Sequence, residues 1–310
     1  MSPPKILVLL GPTASGKTEF GLALAQALDL EIISADSMLV YKGMDIGTAK
    51  PSAEERALVP HHLIDILTPD QPFNAGLFQH LSDQAIGDII GRGKNALLLG
   101  GTNLYLRGLV DGLIEIPAAP AEIKEPIYRQ LEAEGVGPLY QQLSALDPLA
   151  AAELHPNDSS RIARALEVFR YTGRSIKSWQ AEHAFAQSRY RPYYLCVDRS
   201  REELYQRINR RVELMVAAGL VQEVQGLLEQ GYDPSLPSMR SIGYKQAVDF
   251  LMHRCDDVQM VSRIQQDSRR FAKKQQTWIR QLPQLHAQLP GAPEASLLAD
   301  LKRFLFDEDP

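Results

Sequence analysis

Within LLGPTASGKTEF, residues 9–20, the run Gly11, Pro12, Thr13, Ala14, Ser15, Gly16, Lys17, Thr18 satisfies the pattern GxxxxGK[ST]. Such a run binds anions. Its glycines let successive backbone N–H groups turn inward, and the following helix N-terminus adds positive potential. Lys17 neutralises charge, and the Thr18 hydroxyl offers an oxygen to Mg²⁺. The motif specifies a phosphate cradle and leaves open the group beyond the phosphates. Asp36, closing EIISAD (31–36), is a candidate general base, because a carboxylate beside phosphates is repelled unless it faces the acceptor; capping of the next turn is the competing use. Arg210 and Arg211 in QRINRRVELM can neutralise a leaving diphosphate or lie on a solvated helix face. RRFAKKQQTWIR (269–280) carries five cations and no acid, with Phe271 and Trp278 interleaved. That mixture suits RNA phosphates and stacked bases, and the seven-residue spacing of the aromatics suits core packing equally well. SRIARALEVFRYTGR (160–174) is a second basic helix.

These groups need a scaffold. KILVLL (5–10) is a continuous apolar run that predicts a buried parallel strand, EFGLALAQAL (19–28) a helix, and EIISAD the next strand. NALLLGGT (95–102), after a helix over 75–91, repeats strand followed by glycines. No aspartate stands at its end, where a nucleotide-hydrolysing loop protein carries one. PYYLCVD (192–198) predicts a further strand, with long amphipathic helices over 201–230 and 257–281. Residues 117–189 open on Pro117, Pro120 and Pro126 and then read as helical throughout. The expectation is an α/β P-loop NTPase-like parallel sheet flanked by helices, formed by 1–116 and 190–310, with an all-helical domain inserted at 117–189. The tail, with Pro283, Pro290 and Pro293, is expected to be loosely attached until a short helix at 295–306.

Composition sets bounds. The 310 residues are 45% hydrophobic with a net charge of -5, so no global basicity announces a nucleic acid. Residues 199–280 nevertheless hold fourteen Lys and Arg against ten Asp and Glu. Cys196 and Cys255, widely separated, suggest neither a disulfide nor a zinc site. No apolar run is long enough to span a bilayer, and a cytoplasmic monomer is expected.

Taken in order, GPTASGKT (11–18), ISADSMLVYKGMDIGTAKP (33–51), PHHLID (60–65), GGTNLYLRGL (100–109), HPNDSSRIARALEV (155–168), LPSMRSIGYKQ (236–246) and KKQQTWIR (273–280) resemble the blocks of the bacterial tRNA dimethylallyltransferase (tRNA isopentenyltransferase) family. The resemblance implies transfer of a dimethylallyl group from dimethylallyl diphosphate to N6 of the adenine next to the anticodon, position 37 of tRNA, with Mg²⁺ at Thr18. It implies Asp36 as base, Thr102 beside the reacting groups, and Arg211, with Arg210 the adjacent alternative, on the diphosphate. It places Asp36, Ser37, Met38, Leu39 and Thr102 against the tRNA. It further implies that the anticodon stem-loop is gripped by Ser160, Arg161, Ile162, Ala163 and Arg164, and by Arg240, Ser241, Ile242, Gly243, Tyr244 and Lys245. A third segment, Lys273, Lys274, Gln275, Gln276, Thr277, Trp278, Ile279 and Arg280, is implied in the same grip. An isopentenyltransferase acting on free adenine nucleotide and an ATP-dependent small-molecule kinase share the loop. The first lacks need of an inserted helical domain, and the second rests on the loop alone.

Overall fold

A computed structural model describes residues 3–114, 116–183, 188–282, 285–288 and 293–306. The chain divides into two compact units, Met1–Asp111 with Ser188–Pro310, and Gly112–Gln187.

In the first unit, β1 (Lys5–Leu10), α1 (Lys17–Leu28), β2 (Leu30–Ala35), α2 (Ala53–Leu58), β3 (His61–His62), α3 (Ala75–Gly91), β4 (Asn95–Gly100) and α4 (Asn103–Asp111) precede the insertion. The second unit contains α5 (Ala121–Glu134), α6 (Val136–Leu146), α7 (Pro148–Ala152), α8 (Ser159–Thr172) and α9 (Ile176–His183). The first unit resumes with β5 (Arg191–Val197), α10 (Arg201–Ala217), α11 (Leu220–Glu229), α12 (Tyr244–Leu251), α13 (Asp257–Ile279), β6 (His286–Gln288) and α14 (Ala295–Phe306). All six strands are parallel, in the order β3-β2-β4-β1-β5-β6.

The continuous apolar run of β1 follows from burial on both faces. Ile6, Val8 and Leu10 pack on the layer that includes Phe78, Ile89, Leu109, Val224 and Ile264. Leu7 and Leu9 point the other way, onto Phe20, Leu24, Leu28 and Leu301. Since each strand's C-terminal end opens on one edge of the sheet, the loops after β1, β2 and β4 converge there.

Three expectations change. The helix expected over 201–230 is two helices, because Gly219 adopts φ 103° between α10 and α11. In the stretch expected to be loose, β6 pairs with β5; the short helix expected at 295–306 is present as α14, with Leu297, Leu301 and Leu305 buried against the α1 layer. Of the tail's prolines, Pro283 and Pro290 lie outside the described residues. The strand expected at 31–36 ends at Ala35, leaving Asp36 in the loop beyond it.

The second unit has its own core of Ile127, Leu139, Leu143, Ile162 and Leu166, and no strand among its described residues. Arg189 N–H donates to the Val110 carbonyl (2.7 Å), so the first unit closes on itself where the insertion leaves and returns. No described helix is long and apolar enough to cross a membrane.

Candidate active site

A cavity of roughly 370 Å³ opens at the C-terminal ends of β1, β2 and β4, and all its walls belong to the first unit. Thr13, Lys17 and Thr18 line it from the glycine loop, Asp36 to Leu39 from the loop after β2, and Thr102 from the loop after β4. Arg211 enters from α10, and Ile264, Ser268, Phe271 and Gln275 form one stripe of α13.

The glycine loop is held rigidly from behind. Gly16 takes φ 97° as the N-cap of α1, a conformation that a side chain would strain. The Thr13 amide donates to Gln275 Oε1 (2.9 Å), and the Ser15 amide to the Pro12 carbonyl (3.2 Å). Arg207 Nε donates to the Ala14 carbonyl (2.8 Å) and Arg199 Nε to that of Ser15 (2.6 Å). Not every loop amide therefore turns inward, as the sequence suggested. The amides of the first turn of α1, beginning at Lys17, have no acceptor within the helix and can serve an anion. Ser15 Oγ is buried without a hydrogen-bond partner among the described residues.

Charge is concentrated here. Burial, assisted by the neighbouring Arg211, lowers the Lys17 amine to about 8, with Asp36 acting in the opposite sense. Arg211 is likewise lowered by burial, against the attraction of Asp36. An anion entering between Lys17 and Arg211 relieves their mutual repulsion. Arg211 Nη2 donates to the Thr48 carbonyl (3.3 Å), whereas Arg210 sits exposed and pairs with Glu213 (3.2 Å). The cavity therefore holds one of the two adjacent arginines. Asp36 makes the turn-capping contact considered for it, its Oδ1 accepting from the Met38 amide (2.8 Å), and the residue also lines the cavity.

The missing carboxylate after β4 has a steric cause. A Cβ on Gly100 would lie 2.2 Å from the Ala35 carbonyl oxygen, and one on Gly101 would lie 2.4 Å from Gln275 Nε2. Gln275 Nε2 also donates to the Gly101 carbonyl (3.1 Å), so one side chain ties α13 to both the β1 and β4 loops.

The residues expected to contact RNA divide into surface and core. Ser160, Arg161, Arg240, Lys245, Lys273, Lys274, Thr277 and Arg280 are exposed. Arg164 is partly exposed and is held by the buried Glu167 (2.9 Å). Ile162 and Ala163 are fully buried in the second unit's core, and Ile279 and Tyr244 in the first's. Those four side chains have no surface for RNA, and Gln275 is the buried clamp just described: the motif blocks contain core positions interleaved at helical spacing. Ser241, Ile242 and Gly243 line the cavity, Gln276 is half-buried, and Trp278 packs on the core while Phe271 stays exposed beside the cavity.

Some participants gave no motif signal. Glu223 of α11 accepts from the amides of Asp45 (2.9 Å), Ile46 (2.7 Å) and Gly47 (3.1 Å), and from the Tyr244 hydroxyl (2.5 Å). Ser34 Oγ and His61 Nε2 reach the cavity without partners among the described residues. A serine one residue before the end of β2 and a β3 of two histidines could have flagged them, since polar side chains inside an otherwise apolar strand pattern are unusual.

A parallel sheet with a glycine loop between β1 and α1, and a cationic cavity at the strand ends, defines a P-loop group-transfer fold. The IPP transferase family model matches residues 39–282 and the isopentenyl transferase model residues 4–65. The chain belongs to the IPP transferase family. It is 47% identical over 275 residues to tRNA dimethylallyltransferase 2 of Geotalea uraniireducens, covering 89% of each. It is 48% identical over 280 residues to tRNA dimethylallyltransferase 1 of Trichlorobacter lovleyi, covering 90% of this chain and 92% of that one. Among solved structures, the tRNA isopentenylpyrophosphate transferase of Bacillus halodurans superposes with TM-score 0.71 at 36% identity, covering 97% of this chain and 95% of that one. A eukaryotic dimethylallyltransferase acting on tRNA superposes with TM-score 0.75 at 29% identity, covering 89% and 70%.

Proposed function

We propose that the protein transfers the dimethylallyl group of dimethylallyl diphosphate to N6 of the adenine beside the anticodon of tRNA, position 37, releasing diphosphate. The observation that carries the reading is the pairing, in one cavity, of a cationic diphosphate cradle with a carboxylate where an acceptor would enter. Adenine N6 is a weak nucleophile, its lone pair being delocalised into the ring, so both ends of the displacement need help. Lys17, Arg211 and the first-turn amides of α1 take the negative charge that collects on the diphosphate as the C1–O bond breaks. Asp36 accepts a hydrogen bond from N6, and then its proton as the N6–C1 bond forms. Thr102, anchored through its amide to the Ala35 carbonyl (3.3 Å), faces the same space.

Among the described residues, no three His, Cys, Asp or Glu side chains make a self-sufficient metal cage. The Thr18 hydroxyl and the Asp36 carboxylate share the cavity, and such hard oxygens suit Mg²⁺ when substrate phosphates and water complete its octahedron. Bound there by Thr18, the ion would add positive charge against the leaving group.

The exposed cations Arg161, Arg240, Lys245, Lys273, Lys274 and Arg280 would hold the anticodon stem-loop by its phosphates, with the target base flipped into the cavity. The chain works as a cytoplasmic monomer in this reading. The test incubates the protein with dimethylallyl diphosphate, Mg²⁺ and either unmodified tRNA or AMP, then identifies nucleosides by mass spectrometry. N6-prenyladenosine in tRNA is expected; faster prenylation of AMP would assign the free-nucleotide reaction instead.

A further inference from the structure

Glu223 stands outside the cavity, yet its hydrogen bonds end on the cavity wall. Its Oε2 accepts from the amides of Asp45 and Ile46, and its Oε1 from the Gly47 amide and the Tyr244 hydroxyl. Three successive amides turned onto one carboxylate make a tight concave loop, closed by Ala49 at φ 50°. Gly47, Thr48 and Ala49 of that loop line the cavity, and the Thr48 carbonyl receives Arg211 Nη2. Tyr244 packs so closely that a Cβ on Gly47 would lie 2.4 Å from its ring. Burial and the Glu223 carboxylate both raise the Tyr244 phenol, so the hydroxyl stays a donor to Glu223.

We infer that Glu223, with Tyr244, is a positioning residue for diphosphate binding: it fixes the 45–49 loop, the loop orients the Arg211 guanidinium through the Thr48 carbonyl, and Arg211 thereby faces Lys17 across the cavity. The inference rests on the proposed function only in naming the ligand's diphosphate end. Without the carboxylate three amides lose their common acceptor, the loop keeps only internal bonds such as Ala49 N–H to the Ile46 carbonyl, and its placement against Arg211 loses its tie to α11.

Glu223→Gln keeps the size of the side chain but replaces one acceptor oxygen with a donor, so it cannot serve both the Asp45/Ile46 pair and the Gly47/Tyr244 pair. Tyr244→Phe removes one donor and keeps the ring. The full chain and both variants are titrated calorimetrically with inorganic pyrophosphate in Mg²⁺, then assayed for KM of dimethylallyl diphosphate and of tRNA. Glu223→Gln should weaken pyrophosphate binding and raise the donor KM roughly tenfold, the scale of one misplaced charged contact, with the tRNA KM unchanged. Tyr244→Phe should move the same two values in the same direction by less. Pyrophosphate affinity equal to wild type in both folded variants, or a shift in the tRNA KM alone, would overturn the inference. A wild-type protein that binds pyrophosphate but prenylates neither tRNA nor AMP would sink the proposed reaction and leave this inference standing.

Discussion

Asp36 commits Oδ1 to the Met38 amide, which leaves Oδ2 for the cavity. Asparagine caps a turn about as well as aspartate but cannot accept a proton. Asp36→Asn should therefore hold thermal stability within about 1 kcal/mol while slowing single-turnover transfer at least about a hundredfold, with tRNA affinity intact. An unchanged rate in rapid-quench measurements would remove Asp36 from the chemistry. Lys17, with its amine at about 8 in the free protein, gives a pH signature. Bound diphosphate favours the charged amine, so binding takes up a proton above that pH. Donor affinity should be insensitive to this group below about pH 7 and should fall by up to about tenfold per unit above 8. Calorimetry across that range checks it. Lys17 and Thr18 were legible from motif spacing alone, whereas Asp36 and Arg211 were singled out from their competing readings only by the family resemblance; all four line one cavity. Glu223 and Gln275 were not legible in their roles. They act on main-chain groups 176 to 178 and 262 positions away, and a glutamate on an amphipathic helix looks like any solvated one.

Strand β1 was readable because an unbroken apolar run has one economical use in a parallel sheet, burial on both faces. At the C-terminal end the helix at 295–306 was legible, whereas the three-residue β6 was missed because it has no periodicity to detect. That helix now gives a stability test. Leu301 is fully buried, so Leu301→Ala should cost about 2–5 kcal/mol in urea unfolding, against well under 1 kcal/mol for a solvated tail. Within α13, Gln275→Leu keeps the volume but strands the Thr13 N–H and the Gly101 carbonyl. A loss of about 1–3 kcal/mol is expected, with weaker pyrophosphate binding because the glycine loop loses its tie to β4. Unaltered pyrophosphate affinity would show that the loop holds its shape without α13.

At the scale of the whole chain, the cavity draws every wall from one unit, while the other carries its own core and an exposed basic face on α8. Because Arg189 and Val110 are hydrogen-bonded at the junction, a short linker in place of residues 112–187 is expected to leave the first unit folded. The shortened protein should bind pyrophosphate like the parent and lose most tRNA affinity, as gel shift at fixed salt would report. In the intact chain, Lys273→Ala and Arg280→Ala should each reduce the slope of log affinity against log salt by about 1. The inserted helices were legible as a block but not residue by residue, since Ile162 and Ala163 share a motif with Arg161 and Arg164 and differ only in the face they present. In α13 the same interleaving has a thermodynamic result. Lys273 and Lys274 face solvent, while Gln275, the next residue, accepts from the Thr13 amide of the glycine loop. If RNA binds the outer side of that helix as proposed, an adjustment of the helix should alter the donor's hold on the inner side. Binding free energies are reciprocal, so the donor must then change RNA affinity by the same factor. Measuring tRNA dissociation with and without pyrophosphate, and pyrophosphate dissociation with and without tRNA, should return one shared coupling constant.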